Sequence, residues 1–150
     1  MVLSDFVRES DIHLQLAGVT KDDVLASLVD SLGLAAADAA FVLRVLQRRE
    51  HLGSTGIGRG VAIPHCRTAV VDRLRIVFGR RQGGVDFDAV DNQPVFYIFL
   101  LVAPPIEISN DYLPVLGRIA QLVKEPDVPA RLGEVQSAAE FLQLLAEKGV

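Results

Sequence analysis

His65 is the residue whose setting points to chemistry. It closes the run Gly53-Ser54-Thr55-Gly56-Ile57-Gly58-Arg59-Gly60-Val61-Ala62-Ile63-Pro64-His65, the least helical piece of the chain, with four glycines. Glycine lets the backbone come close to a ligand and turn its N–H groups outward, so an anion-binding nest is expected here. Ser54 and Thr55 offer hydroxyl donors, and Arg49 just upstream offers a guanidinium. Imidazole is partly neutral near pH 7 and can attack phosphorus directly. Phosphoryl transfer otherwise asks mainly for positioning and charge neutralisation. These residue types suit a phosphoryl acceptor at His65. They also suit a Gly/Pro-rich turn carrying a solvent-facing histidine, and pattern alone puts the first reading only slightly ahead.

Other chemistries fit less well. A P-loop needs Gly-Lys-Ser/Thr, which does not occur. In Gly56-Ile57-Gly58-Arg59-Gly60 the third glycine comes one position too early for a dinucleotide fingerprint. Cys66 beside His65, with no second cluster, does not build a zinc site, so neither metal nor cofactor is expected. Cys66 is a poor partner for His65, because adjacent residues in an extended segment point apart; a small residue filling a tight spot is expected. His13, on the polar side of an expected strand, and His51, at the end of an expected helix, read as structural or solvated.

The totals bound the rest. One domain spanning 1–150 is expected from 150 residues, and 50% hydrophobic with 23% charged residues marks a globular chain. A net charge of −4 argues against nucleic acid as the main partner, although Arg48, Arg49, Arg59, Arg67, Arg73 and Arg75 crowd the middle. The lone Cys66 fits a reducing cytoplasm. Met1–Ser10 lacks the layout of a secretory signal, and Val95–Ala103 is too short to span a bilayer, so no membrane insertion is expected.

The elements that must position His65 follow from periodicity. Asp11–Leu16 alternates as a half-buried strand, and Leu74–Phe78 alternates again. Thr20 caps a helix that Gly33 stops, with Asp22 and Asp23 in its first turn. A second helix runs from Ala36 to Arg49, with Phe41, Val42, Val45 and Leu46 as its buried stripe. Gly83-Gly84 and Asp91–Pro94 read as turns, and Val95–Ala103 as a central strand covered on both faces. Asp111 opens a helix with Pro114 in its first turn and Leu113, Leu116, Ile119, Ala120 and Val123 facing inward. Ser137–Glu140 is a capping box before Phe141, Leu142 and Leu145. The expected class is α/β, a mixed sheet flanked by helices.

The run Gly53–His65 closely resembles the active-site signature of the enzyme IIA proteins of the bacterial phosphoenolpyruvate-dependent sugar phosphotransferase system (PTS EIIA type 2). The branch is the mannitol/fructose type, which includes the PtsN-like nitrogen-regulatory IIA proteins. Leu46–Glu50 and Phe87–Val95 resemble the flanking blocks, so the likeness covers nearly the whole chain. The resemblance implies that His65 accepts a phosphoryl group from phospho-HPr or its nitrogen-branch relative. It would pass the group to a IIB partner or use it as a regulatory signal. Arg49 matches the arginine beside the active histidine, and Ser54 and Thr55 match residues lining the phosphate pocket. Two positions depart from the family. Tyr112 stands where a second histidine is frequent, and Cys66 where many members have glycine. A phenol donates a hydrogen bond but carries no positive charge at pH 7, so slower or differently tuned transfer is one expectation and a simple packing role for the ring another. The alternative function is a regulatory binding module that controls a kinase, transporter or transcription factor by its phosphorylation state. A folded but inactive relative is a third reading.

Overall fold

The run Val95–Ala103 is apolar on both sides, and the structure, a computed structural model describing residues 2–150, places it inside a sheet covered on both faces. In chain order the strands are β1 (Ile12–His13), β2 (Gly56–Gly58), β3 (Val61–Ala62), β4 (His65–Arg67), β5 (Arg75–Val85) and β6 (Val95–Ala103). The helices are α1 (Lys21–Asp30), α2 (Ala36–Leu52), α3 (Tyr112–Lys124), α4 (Val128–Glu134) and α5 (Ala138–Glu147). The sheet runs β1-β5-β6-β3-β2, and β4 pairs with β6 beside β3. β5 and β6 are antiparallel, whereas β1 on β5, and β3 and β4 on β6, are parallel, so the sheet is mixed as expected.

Side-chain alternation along β6 divides the interior into two cores. Phe99 and Leu101 pack with Ile119 of α3, Leu132 of α4 and Phe141 of α5. Ile98, Leu100 and Val102 pack with Leu25 and Leu28 of α1 and Val42 and Leu46 of α2. Thr20 caps α1 in a reciprocal box with Asp23. Ser137 caps α5 by accepting from the Glu140 backbone N–H, while the Glu140 carboxylate accepts from Gln136, one residue earlier than a capping box requires.

Four expectations change. The first strand shrinks to Ile12–His13: Leu14 leaves the ladder and its carbonyl accepts from Arg80 Nε, and Leu16 rejoins through one bond to the Arg80 carbonyl. Gly83-Gly84 is not a turn. It lies within β5 where the register with β6 slips, and Gly84, at φ +74°, sits against the Phe96 ring and Pro94. Glycine is suited to such a bulge, which reads like a turn in sequence. In α2, which runs on to Leu52, Phe41 faces solvent and only Val42 and Leu46 of the expected stripe are buried. In α3 the buried residues are Val115, Ile119, Leu122 and Val123, and Leu113 is exposed. That helix is apolar over a wide arc, so periodicity there is compatible with more than one inward face.

Candidate functional site

His65 sits where one edge of β6 is covered by a broken strand. β3 pairs with Tyr97 and Ile98, and β4 pairs with Leu101 to Ala103. Between them Pro64 has no N–H to give to the ladder, and Ile63 donates instead to Thr55 O at 3.0 Å. The chain returns at His65. Alternation then sends Cys66 into the core under α1 and α2, and puts His65 and Arg67 on the opposite face, toward α3.

The break fixes the chemistry of the ring. His65 Nδ1 lies 2.6 Å from Ile63 O. A carbonyl oxygen only accepts, so Nδ1 carries the proton and Nε2 of the neutral ring keeps its lone pair. His65 itself is half-buried, so its ring is not sealed inside the core.

Tyr112, the first residue of α3, brings its ring to 5.9 Å from the imidazole, centroid to centroid. The Arg67 guanidinium lies 4.5 Å from the centre of the same ring. Arg67 Nη1 also donates to Pro104 O at 2.9 Å and Ser109 O at 3.2 Å, which ties β4 to the segment leading into α3. Burial, helped by Cys66, pushes the Tyr112 phenol up to about 12 against the opposing charges of Arg67 and Arg49. Tyr112 is therefore a neutral hydrogen-bond donor at physiological pH. Arg49, in the last turn of α2, donates from Nη1 to Gly53 O at 2.7 Å. Neither Arg49 nor Arg67 has a carboxylate at ion-pair distance among the described residues.

Ser54 and Thr55 lie beside this segment, with their hydroxyls committed to the protein. Ser54 Oγ donates to Phe87 O at 2.5 Å and accepts from Gly56 N at 3.0 Å. Thr55, 4% exposed, bonds Glu50 through its hydroxyl and its backbone N–H. Glu50 is held in turn by Lys21 Nζ at 3.0 Å. These two residues fix the approach to His65.

The glycine run does not form the expected nest at the histidine. Gly58-Arg59-Gly60, all at positive φ, turn the hairpin from β2 to β3. Arg59 N donates to the Asp91 carboxylate at 3.3 Å, so an internal carboxylate takes the place an external anion was expected to fill. Val61 is level with Tyr97 and His65 with Leu101. At about 3.3 Å per residue that puts Val61 roughly 13 Å from His65, with the hairpin tip beyond it.

Sequence reasoning counted Arg67 only within a cluster of arginines. The available signal was its place two residues after His65 in a strand, which puts both side chains on one face. Glu50, which anchors Thr55, gave no separate signal. Arg75 and Arg59 are spent elsewhere, on Asp11 and on Lys124 O, so the six arginines do not make one basic surface. His13 bonds Ser31 at 2.8 Å, and His51 is exposed on the last turn of α2. Among the described residues no group of three or more His, Cys, Asp or Glu side chains is placed to hold a metal, and no helix is long and apolar enough to cross a membrane.

Residues 5–148 match the family model described as phosphoenolpyruvate-dependent sugar phosphotransferase system, EIIA 2. The fructose-specific EIIABC component of Bacillus subtilis is 30% identical over 97% of this chain, which spans only 23% of that protein. The nitrogen regulatory protein of Bradyrhizobium diazoefficiens is 38% identical over 70% of this chain and 68% of its own length. Among solved structures, nitrogen regulatory protein IIA-Ntr from Neisseria meningitidis superposes with a TM-score of 0.84 at 33% identity, covering 95% of this chain and 98% of that one. The mannitol IIA of Escherichia coli, solved in complex with phosphorylated mannitol IIB, matches in fold with a TM-score of 0.76 at 21% identity, over 95% of this chain and 99% of that one.

Proposed function

The chain belongs to the EIIA 2 family of the phosphoenolpyruvate-dependent sugar phosphotransferase system, and from that premise we propose that it works as a phosphocarrier through a phosphohistidine at His65. The observation that carries this reading is the Nδ1 hydrogen bond to Ile63 O, which leaves Nε2 as the nucleophile. The lone pair of Nε2 attacks the phosphorus of a phosphorylated HPr-type carrier protein. The new N–P bond forms as the donor's N–P bond breaks, and that electron pair returns to the donor's nitrogen. The proton stays on Nδ1, donated to Ile63 O throughout, so the ring keeps its orientation. Arg49 and the Tyr112 hydroxyl face the transferred group as cation and donor. Ser54 and Thr55 support the site by fixing the loop rather than by direct bonds to phosphate.

The next step is transfer to a IIB domain or use of the phosphoryl group as a regulatory signal. The complex of the mannitol IIA neighbour with phosphorylated IIB supports the first, and the likeness to nitrogen regulatory proteins supports the second. One chemistry serves both, because phosphorylation adds about −1.5 to −2 charges to the His65 face. A cytoplasmic location fits a partner set of soluble carriers.

The test is phosphoryl uptake from phosphoenolpyruvate, enzyme I and HPr or its nitrogen-branch relative, read by intact mass. An acid-labile gain of one phosphate that disappears in His65→Ala is the expected result. Undiminished uptake by His65→Ala overturns the assignment.

A further inference from the structure

We propose that Arg67 balances the charge of the phosphoryl group in this protein, acting beside and through Tyr112. This rests on the phosphohistidine reading of His65. Three observations carry it. First, His65 and Arg67 are alternate residues of β4 and share the face toward α3, so their side chains rise in parallel on either side of Cys66. Second, Tyr112 packs against both: its ring centre is 5.9 Å from the imidazole and 4.5 Å from the guanidinium carbon. A phenol can donate one hydrogen bond to the phosphoryl oxygens but offers them no cation. Third, the Arg67 charge is not spent. No carboxylate of the described residues lies at ion-pair distance, and only Nη1 is bonded, to Pro104 O and Ser109 O. The three N–H groups on Nε and Nη2 remain.

A half-buried guanidinium without a carboxylate favours an anion beside it, because its charge is poorly screened there. The two carbonyl bonds and the stacked ring prevent the side chain from swinging into solvent. Arg67 is thus preorganised in the way electrostatic stabilisation of a transferring phosphoryl group requires. A salt bridge would have cancelled that field. The charged and titratable groups facing the phosphoryl position are Arg49 from α2, Arg67 from β4 and Tyr112 from α3, while Cys66 between His65 and Arg67 points to the opposite face. Arg49, from the last turn of α2, is the other cation whose charge reaches Tyr112. Arg67 is a positioning residue in this account: it holds Tyr112 and sets the local field.

The experiment is a 31P NMR pH titration of the phosphorylated full chain, with steady-state transfer from phospho-HPr, for the wild type, Arg67→Gln and Arg67→Lys. Gln keeps a donor for the two carbonyls and removes the charge; Lys keeps the charge and loses the planar stack. In Arg67→Gln the phosphoryl ionisation is expected to rise by roughly 0.5–1 pH unit, since a nearby cation favours the dianion. The transfer kcat falls about tenfold with little change in KM. Arg67→Lys keeps the phosphoryl ionisation near the wild-type value. A purely structural Arg67 gives the reverse order: Gln unchanged and Lys displaced, which overturns the proposal. Should Arg67→Gln fail to fold, Arg67→Lys decides alone, and a rise of about 0.5 unit or more in that variant overturns it. If the wild type accepts no acid-labile phosphate, the carrier reading fails first and takes this proposal with it. Uptake that is normal in the wild type but indifferent to charge at position 67 defeats this proposal alone.

Discussion

Two polar clusters, each built around a histidine and an arginine, show how similar residues end with their polar groups either satisfied internally or left open. On one side of the sheet His13 bonds Ser31, Ser31 donates to Asp11, and Arg75 closes the circuit on Asp11 at 3.1 Å while also donating to Leu32 O. Asp11 is 1% exposed. Because Ser31 gives its only proton to the carboxylate, His13 Nε2 must donate to Ser31, and its nucleophilic lone pair is not on that nitrogen. On the other side His65 donates from Nδ1 to a carbonyl, and Arg49 and Arg67 have no carboxylate. The first cluster is neutralised from within and holds β1, α1 and β5 together. The second carries uncompensated positive charge next to a free imidazole nitrogen. Charge balance, more than residue type, separates them.

The contrast can be broken from either side. The largest effect is expected from His65→Ala, which removes at least ~10³-fold of phosphoryl uptake, as loss of a covalent nucleophile does. Its stability falls by only about 1 kcal/mol for the lost Nδ1 bond, read by chemical denaturation. Asp11→Ala inverts that pattern. Leaving the part-buried Arg75 without its carboxylate costs about 3 kcal/mol, read the same way, while the fraction still folded accepts phosphate.

Acid sharpens the same comparison. Burial acts to raise the Asp11 carboxyl, and the bonds from Arg75, Ser31 and Arg8 outweigh it, so the group titrates below its ordinary value. A depressed native value contributes stability that is fully present above the unfolded-state carboxylate value near ~3.9 and is lost as pH falls through the native one. The stability gap between wild type and Asp11→Ala is therefore expected to be constant at neutral pH and to close below about pH 4 in acid unfolding. A gap that persists unchanged at pH 2 contradicts the ion-pair account.

Smaller effects follow at the open cluster. Tyr112→Phe removes one neutral hydrogen-bond donor, about 1 kcal/mol or roughly fivefold in transfer rate, and leaves the stacking with Arg67 in place. An unchanged rate assigns the ring to packing alone. Cys66 is 6% exposed, and burial pushes its thiol up to about 12. Alkylation of the native protein at pH 8 is expected to be slow, and to become rapid only on unfolding. Fast labelling of the folded chain contradicts a thiol sealed in the core.

Much of the fold was legible because the deciding forces are local or repetitive. The Val95–Ala103 strand falls at the expected ends, since a run apolar on both faces has one comfortable place in an α/β sheet. The Thr20 and Ser137 caps depend on residues three apart, and the structure shows both side chains accepting the expected backbone bond. The misses share a different cause. The Gly83-Gly84 bulge and the inward face of α3 are set by what lies opposite, Phe96 and Pro94 in one case and the sheet in the other.

At the site the division is equally physical. The break at Pro64 and the alternation that separates His65 from Cys66 are local properties of the chain. Proline lacks a donor and a strand has period two, whatever surrounds them. Packing of distant segments turns the hydroxyls of Ser54 and Thr55 to Phe87 and Glu50, and brings Asp91 to the hairpin backbone. It alone also decided that Tyr112 arrives between His65 and Arg67. Each of those is a pairing between segments far apart in the chain. A polar group's partner, and so its remaining capacity for chemistry, is fixed by whichever segment the packed cores bring within hydrogen-bond reach.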